Sequence, residues 1–427
     1  MTSLFERMRF QRLAKEGSWV VMGQVAAVAG SLVQVRVLTE YLTSAEYGRL
    51  ALGLTAAGLI NQAVTSGITA SIGRFYTIAA EKKDVAGYLQ DSRRLLTYGT
   101  MAVATVGLVL AGGLRLLGYS QWTGLVMAAL LFSLLGAYNS SLSGIQNAAR
   151  QRRIVAFHSG LDAWLKIVFA IGIIAWLGAT STPVVIGFIC SALLVTASQV
   201  FFLRRTILEE KPRAGPAGSW LRQMWAYAWP FSVFGIFTWM QQASDRWAME
   251  GFSSTEDVGL YSVLFQLGYA SIGIVSALVM SLVAPILFQR SGDTTDASRN
   301  ANVHRLGWTI TFLSLAVTGL GFVFTFALHE QIFKVLVATE YRRASYLLPW
   351  VVLAGGLFAA GQMLALKLMS EMRPAAMTFA KVATALMGIA FNIIGAAWAG
   401  LSGVVGALVA FSVIYLGWMT LLGRRQK

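Results

Sequence analysis

The chain is 427 residues long, 56% hydrophobic and only 12% charged, with a mean hydropathy of +0.63. Soluble domains carry about 25% charged residues, so a soluble fold is excluded, and the unbroken apolar runs exclude a membrane barrel, whose strands alternate. The net charge of +15 reflects membrane topology rather than affinity for nucleic acid, because the basic residues sort by side.

A helix crosses the bilayer with about 20 apolar residues. In chain order, spans are expected at about 18–38, 49–72, 95–117, 122–146, 158–178, 184–204, 228–250, 259–287, 306–328, 346–369, 376–398 and 402–422. The polar residues 1–17 precede a first run long enough to stay in the membrane, so no cleavable signal peptide is expected. Spans 49–72 and 122–146 are the less apolar of the set. They carry "GLINQAVTSG", with Asn61, and "GAYNSSLSGIQN". Polar groups at such depth face neighbouring helices or a water-filled path. Residues 205–227, with Pro212, Gly215, Pro216 and Gly218, read as a cytoplasmic linker. It separates a bundle at 1–204 from one at 228–427. The fold class is therefore an all-α polytopic membrane protein of about twelve transmembrane helices in two six-helix bundles.

With the N-terminus inside, 24 of the 34 Lys and Arg residues fall on cytoplasmic segments and five on outer ones. Basic residues mark the cytoplasmic side, so both termini are expected there. Cys190 stands alone, so no internal disulfide forms. His158, His304 and His329 fall near span ends without metal-ligand spacing and read as interfacial.

Residues 36–46, "RVLTEYLTSAE", align with 246–256, "RWAMEGFSSTE", at an offset of 210. Arg36 then meets Arg246 and Glu40 meets Glu250. Gly48 and Gly259 follow one residue out of register. Six spans per half imply a parallel repeat about a pseudo-two-fold along the membrane normal, an arrangement in which a substrate path lies between the repeats.

Charge at the bilayer centre costs about 2.5–3.5 kcal/mol even on the mild scale. Four in-span pairs are spaced i, i+4 and share a helix face: Arg36 with Glu40, Arg246 with Glu250, Asp162 with Lys166, and Lys367 with Glu371. Each is either a structural ion pair or part of a substrate path. Asp245 and Lys381 lack such a partner, and Lys381 is placed to snorkel to the cytoplasmic surface. Lys166, Lys367 and Lys381 lie towards the cytoplasmic side, Arg36 and Arg246 towards the outer side. Basic groups at both ends of a path suit an anionic headgroup, and arginine suits phosphate. Candidate substrate-binding residues are thus Arg36, Arg246, Asp245, Lys166, Lys367, Lys381, Gln241, Gln242 and Asn61. Candidate ion-pair or coupling residues are Glu40, Glu250, Asp162 and Glu371. Tyr138, Asn139, Tyr261, Gln266, Tyr269 and Gln362 are either sugar contacts or packing groups.

The stretches "GSWVVMGQVAAVAGSLVQVRVLTEYLTSAEYGRLAL", "GIQNAARQRRIVAFHSGLDAWLK", "QASDRWAMEGFSSTEDVGLYSVLFQLGYA" and "YRRASYLLPWVVLAGGLFAAGQ" resemble polysaccharide and O-antigen flippases of the multidrug/oligosaccharidyl-lipid/polysaccharide exporter superfamily. The resemblance covers nearly the whole chain. It implies alternating access that carries an undecaprenyl-pyrophosphate-linked oligosaccharide across a bacterial inner membrane. It implies no cofactor, and it points to a polysaccharide polymerase and a chain-length regulator as partners. A cationic cavity would hold the pyrophosphate, with Arg36, Arg246 and Lys166 matching that role by type and place. Glu40, Asp162 and Glu250 speak against a purely cationic one. The alternatives are a cation-coupled multidrug exporter of the same superfamily, a membrane enzyme such as a polymerase or glycosyltransferase, and a major-facilitator transporter. The enzyme lacks a catalytic constellation, and the last lacks its basic signature between spans 2 and 3.

Overall fold

The computed structural model describes residues 2–207, 219–291, 297–370 and 374–424. Among them every regular element is helical. The α-helices are α1 (Thr2–Tyr41), α2 (Ser44–Ile60), α3 (Ser66–Glu81), α4 (Val85–Leu116), α5 (Thr123–Ala148), α6 (Arg152–Leu177) and α7 (Ser181–Ile207). The second series is α8 (Ser219–Phe252), α9 (Thr255–Phe265), α10 (Ser271–Ser291), α11 (Ala297–Leu336), α12 (Leu348–Ser370) and α13 (Pro374–Arg424). Two wider π-helical turns, Asn61–Thr65 and Gln266–Ala270, join α2 to α3 and α9 to α10 into continuous rods. The last helix breaks at Ala399 and Gly400, where Gly400 takes φ +53°. Each of the expected spans lies along one of these helices or rods, give or take a residue or two at its ends.

Nine helices among the described residues are long and apolar enough to cross a membrane. The α2–α3 rod and α8 are outside that set, and they carry the Asn61 stretch and the Asp245–Arg246 charges. The stretch expected as a linker, 205–227, overlaps α8 from Ser219 onward, and its middle, 208–218, lies outside the described residues.

Short turns close the helices. Lys83, Gly118 and Arg150 adopt positive φ after α3, α4 and α5. The next residue in each case reaches back five positions: Asp84 N–H to Ala79 O at 2.9 Å, Tyr119 N–H to Leu114 O at 2.7 Å and Gln151 N–H to Gln146 O at 2.8 Å. A left-handed residue followed by this long back-bond ends a helix by satisfying its last carbonyls.

The chain forms two compact units. The first comprises residues 1–34 and 52–239, the second 35–51 and 240–427. Helices α1, α2 and α8 therefore change unit along their length. In the first unit, Gly23 and Gly30 of α1 admit Ala156 and Ala163 of α6, and Gly160 of α6 admits Ala26. Small residues at such spacing let helices approach closely in lipid, where burial from water supplies no drive. Its apolar centre is Ile68, Ile72, Tyr88, Leu95, Ile145 and Met224. In the second unit α12 is the most enclosed helix, and Leu364, Ala365 and Leu368 pack on Tyr415 and Met419 of α13.

The repeat is present in a register different from the one the identities suggest. The helix-closing bonds Leu42 N–H to Leu38 O and Ser253 N–H to Met249 O correspond, as do Tyr47 N–H to Thr43 O and Val258 N–H to Ser254 O. The caps agree: Thr43 Oγ1 accepts from Glu46 N–H and Ser254 Oγ from Asp257 N–H. All these pairs share an offset of 211, as Leu42 to Ser253. Gly48 and Gly259 share it too, and they meet. A Cβ on Gly48 would collide with the Thr255 carbonyl oxygen, and one on Gly259 with that of Ser44. One residue is about 100° of helix rotation. Arg36 is therefore structurally equivalent to Trp247, not to Arg246, and Glu40 to Gly251, not to Glu250. The backbone caps outweigh the chance identities at 210.

Candidate functional site

The buried charges of α8 form the most complete constellation. Asp245 is 4% exposed. Its Oδ2 accepts the Tyr261 hydroxyl at 2.6 Å, and its Oδ1 accepts Arg246 N–H at 2.7 Å and Arg246 Nη1 at 3.3 Å. Arg246 Nη1 also donates to the Gln242 carbonyl oxygen at 3.2 Å. The guanidinium carbon lies 4.6 Å from the Phe265 ring centre and 5.7 Å from that of Tyr261. Tyr261 and Phe265 are one helical turn apart, so both rings stand on one face. Tyr269 stacks on Phe265 at 4.9 Å, one turn further. Cation–π contact of this kind is strongest where water is excluded. The site thus holds an arginine between a carboxylate and two rings, with its orientation set.

This arrangement corrects the expected pairing. Asp245 does have a partner, and Arg246 is paired with it rather than with Glu250. Glu250 instead accepts the Thr255 hydroxyl at 2.9 Å. Neighbouring residues seldom face each other on a helix, but the long arginine stem folds back to a carboxylate that Tyr261 fixes in place.

Two of the expected i, i+4 pairs form. Arg36 Nη2 lies 2.9 Å from Glu40 Oε2, both partly exposed. Lys166 Nζ lies 2.5 Å from Asp162 Oδ2, and Ser191 Oγ donates to Asp162 Oδ1 at 3.2 Å. Lys166 also stands 5.3 Å above the Phe132 ring. Arg36, Glu40 and the Asp245–Arg246 pair all belong to the second unit, whereas Asp162, Lys166 and Asn61 belong to the first. By sequence the two arginines fall one in each half; by packing both lie in the second unit.

Lys367 is fully buried, its stem packed over Gly307, and its ammonium donates to the Gly423 carbonyl oxygen at 3.1 Å. That contact ties α12 to the end of α13. Glu371 lies outside the described residues. Lys381 is half-buried on α13. Gln241 and Gln242 lie on α8, and Asn61 opens the first π-turn. Several polar groups prove to be packing contacts. The Tyr138 hydroxyl meets Thr100 Oγ1 at 2.9 Å, and Asn139 joins Thr196 at 2.7 Å and Ala192 O at 3.3 Å. His158 is packed among helices: it is 1% exposed, with its ring nitrogens 2.8 Å from Ile154 O and 3.0 Å from Ser198 Oγ.

Sequence reasoning missed the acceptors that anchor α8 at its other end. Asp84 Oδ2 accepts Trp220 Nε1–H at 2.7 Å, and buried Asp91 accepts Leu221 N–H at 3.1 Å while pairing with Arg94. The partners are separated by 136 and 130 residues, so no local pattern announces them. Sequence reasoning also missed the four-residue spacing of Tyr261, Phe265 and Tyr269, and nothing local names the cation that two of these rings meet.

Among the described residues no cluster of His, Cys, Asp or Glu has the geometry to hold a metal ion. The family model described as "Polysaccharide biosynthesis protein" matches residues 13–291. No curated protein sequence matches the chain. Among solved structures, the fold is similar to that of "Lipid II flippase MurJ, inward closed conformation". That comparison has a TM-score of 0.71 at 10% identity, over 96% of this chain and 88% of the other. An inward-facing multidrug resistance MATE family transporter of the MOP superfamily aligns with TM-score 0.62 at 14% identity, over 94% of each chain. A point mutant of the Vibrio cholerae MATE transporter VcmN aligns with TM-score 0.59 at 13% identity, over 97% of this chain and 96% of the other.

Proposed function

The chain belongs to the polysaccharide biosynthesis protein family, and from that premise we propose that it is a membrane transporter for a lipid-linked oligosaccharide. The substrate is an undecaprenyl-pyrophosphate-linked oligosaccharide, moved from the cytoplasmic to the outer leaflet of a bacterial inner membrane by alternating access. The observation that carries this reading within the family is Arg246, held between Asp245 and two aromatic rings on α9. A held guanidinium presents planar donors in a fixed direction, which suits a phosphate oxygen pair. Asp245 limits how tightly an anion is held, which favours release. Arg36 and Lys166, each with a carboxylate partner, are the further basic groups for the headgroup. Asn61, Gln241 and Gln242 offer amides for sugar hydroxyls. The excess of basic residues on alternate segments supports cytoplasmic termini.

The test uses purified protein in liposomes carrying a fluorescent undecaprenyl-pyrophosphate oligosaccharide in both leaflets, with outside quenching followed over time. Protein-dependent movement is expected, lost in Arg246→Ala and partly kept in Arg246→Lys. Wild-type movement by a folded Arg246→Ala protein removes the arginine from the mechanism. Absence of lipid movement, in liposomes that expel a cationic dye against an ion gradient, establishes the multidrug-exporter alternative instead.

A further inference from the structure

Residues 338–347 hold the turn between α1 and α2 with groups that come from 296 to 299 residues away. A turn between helices leaves the last carbonyls of one and the first N–H groups of the next without partners. Thr43 Oγ1 covers only Glu46 N–H, at 3.3 Å. Ser44 N–H and Leu42 O are met from outside the hairpin. Glu340 Oε1 accepts both Ser44 N–H at 2.7 Å and the Ser44 hydroxyl at 2.6 Å. The Tyr341 hydroxyl donates to Leu42 O at 2.8 Å, and Ala338 N–H donates to Thr39 Oγ1 at 3.2 Å. Tyr341 is fully buried, with its ring edge-on to Tyr47 at 5.9 Å.

The equivalent turn between α8 and α9 supplies its own partners. Ser254 Oγ accepts Asp257 N–H, Ser253 donates to the Asp257 carboxylate, and Thr255 donates to Glu250. Its tie to the same segment is the Arg343–Glu256 pair, with both side chains about half-exposed; such pairs contribute little. The α8–α9 turn is thus held by its own side chains, whereas the α1–α2 turn also takes an acceptor and a donor from residues 338–347.

The α1–α2 hairpin also has divided attachments. Val35–Ala51 packs in the second unit, while the chain on either side of it, up to Gln34 and from Leu52, packs in the first. Movement of one unit against the other must bend α1 and α2 or free the hairpin. Freeing it breaks polar contacts that water replaces, and parts a crossing at Gly48 and Gly259 where no side chains interlock.

We infer that residues 338–347 are a latch on the α1–α2 hairpin, closed in this structure and released during each transport cycle. The inference rests on the transport reading above, and its test separates the two. In a Cys190→Ser background, Thr39→Cys is placed alone or with Ala338→Cys. Thr39 is 2% exposed, so its thiol reacts with a membrane-impermeant maleimide only when the hairpin leaves the segment. Adding Glu340→Ala is expected to speed that reaction at least about fivefold, and an unchanged rate overturns the latch. This arm needs no substrate and stands even if the liposomes move no lipid. In the double-cysteine protein, oxidation is expected to form the disulfide and slow lipid movement at least about tenfold, with recovery on reduction. A disulfide that forms without slowing movement overturns the inference, as does a failure to form it. Oxidised single-cysteine proteins serve as controls.

Discussion

Replacing Tyr261 by Phe tests the reasoning about the buried charges most directly. The change removes one hydroxyl and keeps the ring, so the cation–π contact of Arg246 at 5.7 Å remains. What is lost is a 2.6 Å bond to a carboxylate that is almost wholly buried. A hydrogen bond to a charged group contributes about 1.5–3 kcal/mol, and that is the expected loss of stability. Asp245→Asn keeps the shape but leaves the enclosed Arg246 without its counter-charge, at a cost of about 3–5 kcal/mol. Because one change removes the donor of this contact and the other the charge of its acceptor, the double variant should cost less than the two together, by about 0.5–3 kcal/mol. Unfolding in mixed micelles with a denaturing detergent, run on all four proteins, measures this difference. Costs that add to within about 0.5 kcal/mol, the range for independent sites, would show that Tyr261 and Asp245 do not act on each other, and the account of how Arg246 is oriented would fail.

Three further expectations follow from the packing. Gly48→Ala and Gly259→Ala each push a Cβ into a backbone carbonyl of the facing helix, whereas Gly112→Ala meets nothing within 4 Å. Thermal unfolding in detergent should show the first two destabilised by about 1–3 kcal/mol, as for overpacking, and the third unchanged or slightly stabilised; equal behaviour of all three refutes the close crossing. Lys367→Met replaces a buried ammonium by an apolar chain of similar length and takes the donor from the Gly423 carbonyl oxygen, which should cost about 1–3 kcal/mol while lipid movement by the folded protein persists; its loss, with the fold intact, would place Lys367 in the substrate path. Asp91→Ala removes the acceptor of Leu221 N–H and should cost about 1 kcal/mol, as for a lost helix cap, read as about fivefold faster amide exchange at the start of α8; unchanged exchange would mean that Asp91 does not anchor it.

The class of molecule and the positions of its helices were determined by the sequence alone. Hydropathy is a local property: whether about twenty consecutive residues tolerate lipid depends on those residues and on nothing distant. The asymmetry of Lys and Arg between alternate segments is legible for the same reason, as are Arg36 with Glu40 and Asp162 with Lys166, whose partners lie one turn away. The tertiary structure decided everything that depends on helix rotation or on distant approach. Arg246 and Glu250 had the same spacing as the pairs that form, yet Tyr261 fixes Asp245 where the guanidinium reaches it first. The repeat was visible, but its register was not, because identities at 210 do not report backbone caps that recur at 211. The bond from Lys367 to the carbonyl of Gly423, 56 residues on, was likewise beyond any local pattern. Glu340 carried no signal at all, since the N–H group it satisfies belongs to Ser44, 296 residues earlier. In a membrane every buried polar group must find a partner; the sequence shows which groups are in need, and only the packed helices show which partner each one finds.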